Sequence, residues 1–112
     1  MNINELTLGQ MKEIQSMCNN YSPDILSAYK SLVGNNVLVR TVTMIYTGEL
    51  FKETKNELCL AHAAWIADTG RWADNLKSCE FNEVEPYLND VIINKGAILD
   101  VTMIETLPRE QK

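Results

Sequence analysis

The sequence predicts an α+β fold: two N-terminal helices followed by a small, mainly antiparallel β-sheet with one short connecting helix. Three observations lead there. Apolar residues recur at helical spacing through the first 33 positions, β-branched residues dominate from Val37 onward, and a capping pattern near Asp68 opens a short helix late in the chain. With 112 residues and neither linker nor internal repeat, the chain reads as a single domain, 1–112, with a helical N-terminal part over 1–33 and a β-rich body over 34–108.

The first helix is expected to start at Thr7, with Gln10 completing a capping box, and to carry Leu8, Met11, Ile14, Met17 and Cys18 on one stripe. Asn19-Asn20 ends it. Ser22-Pro23 starts the second, whose stripe is Ile25, Leu26, Tyr29, Leu32 and Val33, and Gly34 suits a left-handed stop. Val37 to Tyr46 is rich in β-branched residues and apolar on both faces, which predicts one central strand. Gly48 marks a bulge or bend, and Glu49–Thr54 continues as a more exposed strand. Lys55-Asn56 then turns the chain into a hairpin partner, Glu57–His62. The first half of Ala63–Leu76 could extend that strand. Asp68 or Thr69 could then cap a helix from about Arg71 to Lys77. Short strands at Asn82–Glu85 and Val91–Ile93, and a last strand at Ala97–Ile104, complete the body.

Composition removes several classes of function. A 46% hydrophobic content supplies a core that needs no metal or disulfide staple. The net charge of −5 opposes non-specific nucleic-acid binding and docking on an anionic membrane, so no nucleic acid and no membrane are expected as partners. Cys18, Cys59 and Cys79 are widely spaced and form no CxxC, which points to core thiols in a reducing compartment and to no metal site. Met1-Asn2-Ile3-Asn4-Glu5 has no signal-peptide character, and no run is long enough to span a bilayer, so a cytoplasmic location is expected.

No enzyme is expected, and no cofactor. Phosphate-loop, GxSxG and HExxH patterns are missing, and His62 is the single histidine available as a base. Glu83 and Glu85 share a strand face that could hold a cation or simply be solvated. The helix–Asn19-Asn20-Tyr21-Ser22–helix pair has a helix-turn-helix spacing, but its second helix carries one basic residue, Lys30, which leaves packing or oligomerisation as its role.

Two places remain where a ligand could bind. Arg40 interrupts an apolar strand, and a guanidinium there needs an anion, either an internal carboxylate or a ligand's phosphate. Trp65, Asp68, Thr69, Gly70, Arg71, Trp72 and Asn75 gather both tryptophans beside an arginine, a hydroxyl and an amide. Such a set can stack a flat ring, meet an anion and read a base edge, or it can anchor a helix to the sheet.

From Val33 to Arg109 the sequence is similar to a family of small phage and prophage proteins. The match rests on Val37-Leu-Val-Arg-Thr-Val-Thr-Met-Ile-Tyr-Thr-Gly48, Ala63-Ala-Trp-Ile-Ala-Asp-Thr-Gly-Arg-Trp72, Asn82-Glu-Val-Glu-Pro-Tyr87, Gly96-Ala-Ile-Leu-Asp100 and Leu107-Pro-Arg109. The order of parts, opening on Val33-Gly-Asn-Asn-Val-Leu-Val-Arg-Thr41, also resembles that of the Thoeris anti-defence sponges. That resemblance implies a homo-oligomer in the host bacterial cytoplasm. It would sequester a small anionic nucleotide, a cyclic ADP-ribose or cyclic dinucleotide, without cleaving it. It carries over to Arg40 and Thr41, and to Trp65, Arg71 and Trp72. In this reading Arg40 and Arg71 converge with a tryptophan in one pocket. Two alternatives stand beside it: an acidic inhibitor docking through Glu80, Glu83, Glu85 and Asp90 on a basic host protein, with the arginines apart and paired internally, and an assembly role in the virion.

Overall fold

The computed structural model describes residues 28–112. The chain divides into two compact units, Met1–Ser31 and Leu32–Lys112, and the second holds the whole sheet. The first expected helix lies outside the described residues. The second overlaps them only at its end, where 28–30 are helical.

Six strands follow: β1 (Asn36–Thr41), β2 (Ile45–Glu53), β3 (Glu57–Asp68), β4 (Glu83–Pro86), β5 (Val91–Asn94) and β6 (Ile98–Met103). One helix, α1 (Trp72–Ser78), links β3 to β4, and a 3-10 turn at Lys95–Ala97 links β5 to β6. All pairings are antiparallel, in the order β4-β3-β2-β1-β6, with β5 also on β3. The α+β expectation is therefore corrected. From Asn36 to Met103 every element but a seven-residue helix and one 3-10 turn belongs to a single β-sheet.

The expected central strand is not one strand. Val37 to Tyr46 folds back on itself as the β1–β2 hairpin, with Arg40 opposite Ile45. The β-branched run hides a turn because no Gly, Pro or Asn marks it. The Thr41 hydroxyl does that work instead: it accepts from the Met44 N–H at 2.9 Å and donates to the Met44 carbonyl at 2.8 Å. Gly48 does sit at a bulge, between register positions Thr47 and Glu49. A Cβ there would lie 2.8 Å from the Leu60 Cβ, so close strand packing demands glycine.

β3 organises the sheet. It is 12 residues long, and its first half pairs β5 while its second half pairs β4. Between the halves His62 takes φ 53°, a left-handed value that bends the strand. The His62 side chain is exposed at this bend.

Leu38, Ala64, Ile66, Phe81 and Val84 form one core cluster, closed by the partly buried Ile45, Leu76 and Ile104. Val37, Val39, Leu50, Leu58 and Leu60 are also fully buried, so both faces of β1 are covered. Each such aliphatic side chain contributes roughly 1.5–3 kcal/mol on burial. Lys95 and Glu53, with Nζ–Oε2 at 2.6 Å and little exposure, tie the 3-10 turn to the end of β2.

Candidate functional site

The β1–β2 turn and the ends of its strands make one wall of an open cleft of about 380 Å³. It is lined by Arg40, Thr41, Met44 and Ile45 on one side and by Trp65, Ala67 and Leu99 on the others. The antiparallel register explains the grouping: Arg40 and Ile45 pair across the hairpin, and Tyr46 faces Trp65 across β2 and β3.

Arg40 is the charged centre. Its register partner on β6 is Asp100. Nε donates to both carboxylate oxygens, at 3.0 and 3.1 Å, and Nη2 also bonds Oδ2. These hydrogen bonds hold the Asp100 carboxyl below the usual carboxylate range and raise the Arg40 guanidinium above its own. Both side chains are about half exposed, 42% and 51%, so water screens the pair and its net contribution to stability is small. The Trp72 ring centroid lies 5.8 Å from the Arg40 Cζ, within cation–π range. Behind the cleft the Tyr46 hydroxyl donates to the Met44 sulfur at 3.3 Å. Burial, with Tyr87 nearby, pushes the Tyr46 phenol up.

The other expected site residues have different places. Asp68, Thr69 and Asn75 build the β3–α1 loop. An Asp68 oxygen accepts from the Gly70 N–H at 2.9 Å, Thr69 donates to the Gly70 carbonyl, and the Asn75 amide donates to the Thr69 carbonyl at 2.6 Å. Neither Asp68 nor Thr69 caps α1; its N-cap is Arg71, without a side-chain cap bond. Arg71 is largely exposed, pairs loosely with Asp74 at 3.7 Å and does not line the cleft. The structure thus brings Arg40, Thr41 and Trp65 to one cleft and sets Trp72 against Arg40. The Thr41 hydroxyl is already engaged in the turn. The expected meeting of Arg40 with Arg71 does not occur.

Sequence reasoning missed Asp100 and Leu99. Some sixty positions separate them from Arg40, and only the β1–β6 register joins them. Of the acidic set, Glu80, Glu83 and Asp90 are exposed, while the half-buried Glu85 accepts from Gln111 at 3.4 Å. Among the described residues no group of three or more His, Cys, Asp or Glu is placed to hold a metal, and no helix is long and apolar enough to cross a membrane.

No protein-family model matches the chain, and no curated protein sequence is similar to it. Solved structures do resemble it. A heptameric archaeal Sm protein, described for its implications for the eukaryotic snRNP core, is 16% identical with a TM-score of 0.54, over 70% of this chain and 98% of that one. The P. aerophilum SmAP1 heptamer is 17% identical with a TM-score of 0.53, over 71% and 92%. At such identities the likeness shows the fold alone: an Sm-type β fold, not the α+β arrangement expected. These neighbours are Sm proteins, not nucleotide sponges.

Proposed function

We propose that this chain is a non-catalytic binding protein that holds a small anionic nucleotide at the Arg40–Trp65 cleft and works as a homo-oligomer. One observation carries the reading: a guanidinium held against one indole, Trp72, in a cleft lined by the other, Trp65. A nucleotide offers what those groups recognise, a phosphate for the cation and a flat base for an indole. Among the described residues the Arg40 guanidinium bonds Asp100 through Nε and Nη2, which leaves the Nη1 hydrogens for a ligand oxygen. Asp100 can itself accept from a ribose hydroxyl or an exocyclic amine. With no nucleophile beside a base in the cleft lining, the ligand would be held rather than turned over. In its finest form, the one the resemblance to the Thoeris anti-defence sponges implies, the ligand is a cyclic ADP-ribose or cyclic dinucleotide immune signal.

The oligomer reading draws on two supports. Both neighbours are heptamers by their descriptions. Among the described residues β5 pairs only β3 and β6 pairs only β1, so within them each leaves one edge for a second copy.

The test is a calorimetric titration with a panel of cyclic ADP-ribose isomers and cyclic dinucleotides, followed by mass spectrometry of ligand released on heating. Saturable binding and an intact ligand are expected, and Arg40→Gln should weaken binding about tenfold or more, equivalent to ~1.4 kcal/mol. Flat titrations across the panel would refute the proposal.

A second reading has one observation in its favour. Arg40 and Arg71 are both ion-paired within the chain, as an acidic protein-binding inhibitor would have them. There the titrations are flat, while salt-sensitive capture of a basic partner is lost on neutralising Glu83 and Glu85. Capture that survives neutralisation removes that reading.

A further inference from the structure

The segment after β6 returns to the sheet and lies along β4. Lys112 and Val84 exchange backbone hydrogen bonds, Lys112 N–H to the Val84 carbonyl at 3.0 Å and Val84 N–H to the Lys112 carbonyl at 3.4 Å. Val84 faces Ile66 of β3 on its other side, so these bonds occupy the outer edge of β4. Two side chains anchor the segment. Lys112 Nζ donates to the Phe81 carbonyl at 3.0 Å, and Arg109 Nη1 donates to the Ala63 carbonyl at 2.8 Å. The Ala63 carbonyl also accepts from the Tyr87 N–H, at the break between β4 and β5. Arg109 therefore sits where the pairing along β3 is interrupted, beside the His62 bend.

Edge strands with unpaired N–H and C=O groups recruit other chains, and proteins blunt them by covering the edge. The covered stretch here is apolar beneath: Val84, Phe81 and Cys79 are at most 6% exposed. The edges of β5 and β6 carry no such cover among the described residues.

From this asymmetry we infer that Arg109–Lys112 is an edge guard, a strap that keeps β4 from accepting a strand of a second copy. Association between copies is thereby confined to the β5 and β6 edges. The inference rests on the oligomer reading above only for that last clause. The guard itself concerns β4 whether the parent chain is a monomer or an oligomer.

The experiment compares the full chain with a variant lacking Arg109–Lys112 by amide hydrogen exchange and sedimentation velocity. The Val84 amide should exchange about tenfold faster or more in the shortened chain, since its acceptor is gone. The shortened chain should also form species larger than the parent at equal concentration, and a synthetic peptide of residues 105–112 should restore the parent distribution. Should the deletion unfold the protein, Arg109→Ala with Lys112→Ala keeps the chain length and removes both side-chain anchors, with the same outcomes expected in weaker form. Faster exchange with an unchanged mass distribution overturns the guard, as does unchanged exchange. A parent that sediments as a monomer contradicts the oligomer reading while leaving the guard to be judged by the variant.

Discussion

Gly70 shows how one residue positions the site. Its φ of +74° is a left-handed value, and a Cβ built on it would meet the Asn75 Nδ2 at 2.3 Å and the Asn82 Oδ1 at 2.6 Å. Both neighbours have reasons to stay: Asn75 holds the Thr69 carbonyl, and Asn82 leads into β4. Gly70→Ala therefore combines backbone strain of about 1–3 kcal/mol with loss of the Asn75 bond, worth roughly 1 kcal/mol. A destabilisation of about 2 kcal/mol or more is expected in urea unfolding. Trp72 lies two residues on, so its emission should shift as its ring leaves the Arg40 guanidinium. A midpoint and an emission maximum equal to the parent's would show that the loop does not position Trp72. Asp68, Thr69 and Asn75, whose types suggest ligand recognition, are engaged in hydrogen bonds within the loop and lie outside the cleft lining.

At the level of elements, the sequence was most legible where punctuation and period agreed. Lys55-Asn56 does turn β2 into β3, and the expected helix at Arg71–Lys77 lies one residue from α1. It misled where a turn was built without turn residues. Arg40 to Ile45 reads as unbroken strand because Thr41, Val42 and Thr43 all favour extended backbone. The reversal is held by the Thr41 hydroxyl bonds together with the Thr41 N–H to Met44 carbonyl bond, none of which has a mark in the sequence. In one unbroken strand, period-two alternation puts Arg40 on a face with Leu38, Val42, Met44 and Tyr46, whereas the hairpin gives it Ile45 and Asp100 as cross-strand partners. Long-range register has no local signature, which is why Trp65 and Trp72 could be picked out and Asp100 could not. Thr41→Val tests the turn. It keeps the β-branched shape and removes both hydroxyl bonds, and should cost roughly 1–2 kcal/mol in urea unfolding. Nucleotide affinity should change less than about twofold, because that hydroxyl is already committed. Weakened binding at unchanged stability would instead make Thr41 a ligand contact.

For the molecule as a whole, the open question is whether the cleft is complete in one protomer. Among the described residues the β5 and β6 edges take no further strand, and both strands present apolar side chains to water: Ile92 on β5 is 66% exposed, and Leu99 and Met103 on β6 are 61% and 55% exposed. Leu99 also lines the cleft, so a copy docked along β6 would border the ligand. Ile92 offers a way to separate the two properties, since it lies on β5, away from the cleft lining. A lysine at an edge position opposes strand addition through its charge, and Ile92 is exposed enough for Ile92→Lys to leave the fold intact. Sedimentation equilibrium should show the parent as a multiple of the chain mass and Ile92→Lys as a single chain, with matching circular dichroism. The same titration then decides where the ligand binds. Affinity retained in the single-chain variant places the site within one protomer, and affinity lost with association places it between copies. A parent already monomeric at tens of micromolar, well above the concentrations at which specific interfaces usually form, would exclude edge pairing as the organising principle of this protein.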